Sequence, residues 1–189
     1  MRRAAAMLLL ACLPAVAQVT KASVSGGTPS QPQPITAYKG FKVAPGSFKG
    51  IERRFNEQLT TLFDLNEPLD LLGPVRGVSL DGYGLVFTAE LSLVVTPAKN
   101  PFLQTIPPAL KERIRQRKIE RLAKLKEAMK DMMRTAATTF IQVPLDQQIV
   151  FSVRFLYEPW EDLTGMPSQI LMKADRKSAA AGDIQVEEQ

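Results

Sequence analysis

Three sets of side chains in this sequence are dense enough in charge or hydrogen-bonding groups to do chemistry. The first is the loop holding Tyr157, Glu158, Trp160, Glu161 and Asp162. Clustered carboxylates can hold Ca²⁺ or work as acid and base in sugar hydrolysis. The spacing is not that of an EF-hand, and a sugar groove wants aromatic platforms that a chain with one Trp supplies poorly. Ordinary turn carboxylates, with Trp160 over the core edge, are the plainer expectation; no metal and no cofactor are expected.

The second set is a run of ten basic residues between Lys111 and Arg134: Lys111, Arg113, Arg115, Arg117, Lys118, Arg121, Lys124, Lys126, Lys130 and Arg134. Four acids accompany them (Glu112, Glu120, Glu127 and Asp131), which leaves the segment at +6. Such a segment can meet an anionic polymer or anionic lipid. It can equally be a solvated helix face with pairs such as Glu120–Lys124 and Glu127–Lys130. No aromatic residues interleave with the charges to stack bases, and nucleic acid is not expected as a partner. Lys118 and Arg121 fall toward the apolar sector, where they should snorkel or meet a carboxylate from the body of the domain. The candidate interaction residues are therefore Arg113, Arg117, Lys118, Arg121, Lys124, Glu158, Trp160, Glu161 and Asp162.

The third set is a possible pair. Glu90 stands on the polar side of an apolar strand, and Arg154 on a neighbouring strand would be its natural partner; a structural ion pair is expected before a catalytic acid. The glycines at 77, 82 and 84 match neither a P-loop nor a dinucleotide fingerprint and read as turn glycines. The chain has no His and one Cys. Ser-His-Asp and Cys-His catalysis are excluded, as are nearly all zinc and haem sites of the usual kinds.

The elements that would position these residues follow from pattern. Ser47 reads as an N-cap, and Phe48, Ile51, Phe55, Leu59 and Leu62 recur at helical spacing over 48–63. Strand-rich sequence flanks Asp81-Gly82-Tyr83-Gly84, a hairpin signal of the type I′ kind. Its second arm alternates, with Leu85, Phe87, Ala89, Leu91, Leu93 and Val95 on one face. Residues 109–140 contain no Gly or Pro. Leu110, Ile114, Leu122, Leu125, Met129, Met132, Ala136 and Phe140 share one sector of that helix. Residues 148–157 alternate as a strand, and 168–175 reads as its antiparallel return, with a terminal helix as the alternative for 168–181. The expected fold is α+β: a mainly antiparallel sheet of about four strands, with an N-terminal helix and one long basic amphipathic helix packed on one face.

The start of the chain has the order of an export signal. Arg2 and Arg3 precede an apolar run from Ala4 to Leu13 and an Ala15-Val16-Ala17 cleavage site. The run is too short to span a bilayer. Cys12 offers a looser lipobox and with it possible lipidation; a buried N-terminal helix is the remaining alternative. Cleavage after Ala17 would leave a Cys-free chain with 22 basic and 19 acidic residues. The basic run would then ride on a body with 12 basic and 15 acidic residues. The expected organisation is a signal peptide at 1–17, a flexible Pro/Ser/Gly/Gln-rich linker at 18–47, one domain at 48–178 and a frayed tail at 179–189.

The segment Arg76-Gly77-x-x-Leu80-x-Gly82-Tyr83-Gly84-x-x-Phe87-Thr88-Ala89-Glu90, with Trp160-Glu161-Asp162 and Pro167-Ser168-Gln169-Ile170, resembles a family of predicted exported bacterial proteins of unknown function. The resemblance covers about residues 48–178. It implies a turn before a strand, a long charged helix and a Pro-Ser-Gln-Ile segment near the end, and it implies no activity. The functional expectation is an exported, non-enzymatic domain in the periplasm or outside the cell, binding an envelope protein or an anionic polymer. Two alternatives stand beside it: an envelope hydrolase using Glu90, Glu158, Glu161 and Asp162, and electrostatic attachment to anionic membrane or wall polymer through the basic helix.

Overall fold

The computed structural model describes residues 41, 43–63, 68–95 and 106–189. The expected signal, lipidation and cleavage sites, and most of the expected linker, lie outside them. Three helices and six strands follow in the order α1 (Pro45–Thr60), β1 (Asp70–Leu71), β2 (Arg76–Leu80), β3 (Gly84–Ser92), α2 (Pro108–Thr139), β4 (Gln148–Phe155), β5 (Gln169–Asp175), α3 (Arg176–Ala181) and β6 (Gln185–Glu188). The class is α+β, with a mixed, mainly antiparallel sheet of more strands than the sequence pattern indicates.

The sheet runs β1-β3-β4-β5-β6, with β2 also paired to β3. All pairings are antiparallel except the central one: β3 and β4 are parallel, from Gly84 opposite Gln148 to Leu91 opposite Phe155. Parallel neighbours need a long crossover, and α2 supplies it. At 32 residues α2 is roughly 48 Å long.

One face of the sheet carries the helices. Leu85, Phe87, Ala89 and Leu91 of β3 and Ile149, Phe151, Val153 and Phe155 of β4 are buried there. They meet Phe48, Ile51, Phe55 and Leu59 of α1, and Leu122, Leu125, Met129, Met132 and Ala136 of α2. Five phenylalanines, Phe48, Phe55, Phe87, Phe140 and Phe151, stack with ring centroids 5.1 to 6.3 Å apart. Burying such a ring contributes roughly 1.5–3 kcal/mol, so this cluster is where the helices are held to the sheet. Val95, expected on the buried face, is exposed, because β3 ends at Ser92.

Two glycines are fixed by close approach. A Cβ on Gly84, whose φ is +140°, would stand 1.8 Å from the Gln148 carbonyl oxygen. A Cβ on Gly77 would meet Phe48 and Phe87 at 2.5 and 2.7 Å. The hairpin between β2 and β3 pairs Leu80 with Gly84, so its loop has three residues (81–83) and is not the two-residue type I′ turn expected.

Several expected boundaries move. The first helix starts at Pro45, with Ala44 and not Ser47 at the N-cap position; the fixed φ of proline suits the first turn. Phe41 is already in the core, so the domain begins before residue 48. The described residues, from 41 to 189, form one compact unit. The 168–181 segment is a strand followed by a helix: β5 is the antiparallel partner of β4, and α3 follows it, N-capped by Asp175, whose carboxylate accepts from the Ser178 amide at 2.8 Å. The residues expected to fray form β6, paired to β5 from Ile170–Glu188 to Lys173–Gln185.

Candidate functional site

Among the described residues, no helix covers the sheet's second face. By register this face presents Arg76, Val78 and Leu80 of β2, Val86, Thr88 and Glu90 of β3, Val150, Ser152 and Arg154 of β4, and Gln169, Leu171 and Lys173 of β5. The alternation in each strand sends the neighbouring residues into the core, so these point outward. Val78, Leu80 and Tyr83 are exposed there. A bowl of about 530 Å³ lies on this face, lined chiefly by Arg76, Thr88, Glu90, Ser152, Arg154 and Gln169. Glu90 and Arg154 do face each other across β3 and β4, as expected. Their closest atoms are 3.9 Å apart and both side chains are more than half exposed, so the pair is a weak surface contact. Gln169 Nε2 donates to Ser152 Oγ at 2.8 Å.

The expected acidic loop and the basic helix meet elsewhere, on the helix side. Lys118, in the first half of α2, puts Nζ 2.5 Å from Glu161 Oε2 and 4.9 Å from the centre of the Tyr157 ring. The two charged side chains are only 1 and 7 % exposed. Glu161 Oε1 also accepts from the Glu158 amide at 3.0 Å. Tyr157 donates its hydroxyl to the Pro167 carbonyl at 2.7 Å. Burial, with Glu161 nearby, pushes its phenol up to about 12. Next to this pair, Arg115 Nε lies 3.7 Å from Asp162 Oδ2 and Nη2 donates to the Thr164 carbonyl. Asp162 accepts from the hydroxyl and the amide of Thr164, which hold its carboxyl below the usual range, with a further contribution from Arg115. Trp160 and Glu112 flank a shallow depression of about 340 Å³ beside these groups. Glu112 accepts from Gln116 at 2.7 Å. The carboxylates of Glu112, Glu161 and Asp162 are thus already engaged by protein donors.

Arg121 is buried too. It donates to the Leu93 carbonyl at 2.6 Å and lies 4.6 Å from the centre of the Phe63 ring. Lys118 and Arg121 are therefore interior anchors and not docking side chains: Lys118 meets the Glu161 carboxylate, and the contacts of Arg121 include the Leu93 carbonyl. Further along α2, Lys126 pairs with Glu188, Lys130 with Glu127, and Arg134 with Asp131. The Glu127–Lys130 pair was expected; Glu120 and Lys124 form no pair with each other among the described residues. Arg113 and Lys124 are exposed, Arg117 is half-buried, and Glu158 is exposed.

The structure thus brings together Lys118, Glu161, Asp162 and Trp160 of the expected site. It leaves Arg113, Arg117, Arg121 and Lys124 apart from them. Among the described residues, no three His, Cys, Asp or Glu side chains are gathered as a metal site. Glu90 is on the open sheet face, while Glu161 sits against α2, so the suspected carboxylates do not share a cleft. The bowl residues Arg76, Thr88, Ser152 and Gln169 were not expected as site residues, although Arg76, Thr88 and Gln169 lie in the segments that carry the resemblance. Strand alternation marks Thr88 and Ser152 as outward, but only the register of β2 and β5 adds Arg76 and Gln169 to them. No protein-family model, curated protein or solved structure matches this chain.

Proposed function

We propose that this chain is an exported, non-enzymatic binding domain of the cell envelope that meets its partner through the open face of its sheet. The observation that carries the reading is the contrast between the two charged regions. On the helix side three of the acids are matched, Glu161 by Lys118, Asp162 by Thr164 and Arg115, and Glu112 by Gln116, while Glu158 is exposed in the same loop. On the sheet side, among the described residues, Arg76 makes no side-chain hydrogen bond or ion pair and Arg154 has one loose contact. Three large apolar side chains, Val78, Leu80 and Tyr83, are exposed on the same side of the molecule. Exposed apolar residues amid polar ones are a mark of contact surfaces.

Attachment through the basic helix is less well supported. Lys118 and Arg121 are interior, and Arg115, Lys126, Lys130 and Arg134 each have an acidic partner. Export rests on the residue order at positions 2–17.

Fractionation of cells producing the full chain tests the first half. The protein should be recovered outside the cytoplasm with Gln18 as its first residue. Capture from envelope extract tests the second half. Thr88→Glu should abolish capture and Lys124→Glu should not; the reverse pattern would refute the reading.

A further inference from the structure

We infer that the bowl on the open sheet face takes an acidic sugar, one bearing a carboxylate or phosphate group, with Arg76 and Arg154 receiving the acid. This rests on the binding-domain reading above and names the ligand of that same face. The volume, about 530 Å³, falls within the range of small-ligand sites, roughly 300–1,000 Å³. Its polar groups are arranged in rows across the strands. Arg76, Thr88 and Ser152 lie opposite one another on β2, β3 and β4, and Glu90, Arg154 and Gln169 form the next row on β3, β4 and β5. Two guanidinium groups thus line the same concavity, with Thr88 and the Glu90 carboxylate on β3 between them and Ser152 and Gln169 beside Arg154; the two cations outnumber the one acid, so the bowl keeps a net positive charge.

Guanidinium groups recognise carboxylate and phosphate by paired, charge-assisted hydrogen bonds. Among the described residues Arg76 has no side-chain partner to give up, and Arg154 gives up only a 3.9 Å contact between exposed groups. The hydroxyl and amide groups of Thr88, Ser152 and Gln169 can each donate and accept, as neighbouring sugar hydroxyls require. Among the described residues, no aromatic side chain lines the bowl. A neutral sugar therefore lacks a stacking platform, and the acid must supply most of the attraction.

A peptide is a poorer fit. Strand addition would need free amides at the β2 edge, and those of Val75 and Gly77 are taken by Asn56 Oδ1 and Glu52 Oε1, both at 2.8 Å. A peptide would then have only side-chain contacts on a polar floor.

The test is titration of the ¹⁵N-labelled full chain with glucose 6-phosphate, glucuronate, glucose and inorganic phosphate at constant ionic strength. Either acidic sugar should move the amides of Thr88, Ser152 and Gln169 saturably, with roughly millimolar or better affinity. Glucose and inorganic phosphate should each bind at least tenfold more weakly. Arg76→Gln/Arg154→Gln should weaken the acidic sugar at least tenfold while leaving the rest of the spectrum in place. Inorganic phosphate binding as tightly as glucose 6-phosphate would overturn the inference, as would localised shifts with glucose alone or none with either acid. If no acidic sugar binds but capture from envelope extract still depends on Thr88, this inference fails and the binding-domain reading stands.

Discussion

Glu161→Gln should be among the most damaging single changes outside the aromatic core. Lys118 and Glu161 are 1 and 7 % exposed, and the ammonium lies 2.5 Å from the carboxylate against the Tyr157 ring. Glutamine keeps the shape and can still accept from the Glu158 amide. What it removes is the charge that offsets a buried cation. Leaving one member of such a pair uncompensated costs about 3–5 kcal/mol, a large share of a typical domain stability of about 5–15 kcal/mol. At this size each kcal/mol moves Tm by roughly 2–4 °C, so the expected fall is roughly 6–20 °C. Urea denaturation followed by circular dichroism and by Trp160 emission would measure it, since Trp160 is the chain's single Trp and adjoins the pair. Lys118→Met/Glu161→Leu should regain most of the loss or exceed the parent, because two apolar side chains need no compensation. A cost below about 1 kcal/mol for Glu161→Gln, as exposed pairs give, would refute the placement of these charges in the interior.

Further expectations follow from the same contacts. Gly84→Ala should prevent folding or sharply lower the urea midpoint, since its Cβ would overlap the Gln148 carbonyl. Gly50→Ala, in the middle of α1 with nothing within 4 Å, should raise stability by up to about 1 kcal/mol. Stability should fall between about pH 10 and pH 12: the unfolded Tyr157 phenol loses its proton there while the native one, raised to about 12, holds it. Tyr157→Phe should flatten that part of a pH–stability profile. Glu52→Ala/Asn56→Ala should release the Val75 and Gly77 amides at the β2 edge. Light scattering should then show self-association, because an unpaired edge is a template for pairing.

How much of this could be read from the chain differs by element. The long helix was legible because 109–140 holds no breaker and its apolar residues share one sector. Lys118 and Arg121 were legible as inward-pointing for the same reason. Their partners were not: Glu161 lies 43 residues from Lys118, and Arg121 found a carbonyl at Leu93. The parallel pairing of β3 with β4 left no local mark, because either strand would alternate in the same way beside an antiparallel neighbour. β6 was missed because Gln185-Val-Glu-Glu188 has little apolar character; the edge of β5, and the Lys126–Glu188 and Lys173–Glu187 ion pairs, make it a strand. The first turn of α1 was missed because Ser47 offers a capping side chain, while the helix begins on Pro45 without one. The bowl needed four strands in register before its residues could be seen as neighbours.

The proposed function turns on whether the open sheet face is the contact surface. Site-specific photo-crosslinking within the envelope tests it most directly, with the reactive side chain placed at Thr88 on that face or at Lys124 on the exposed side of α2. A discrete adduct is expected from position 88 and none from position 124. Adducts from position 124 alone would contradict the proposal and return attention to the basic helix.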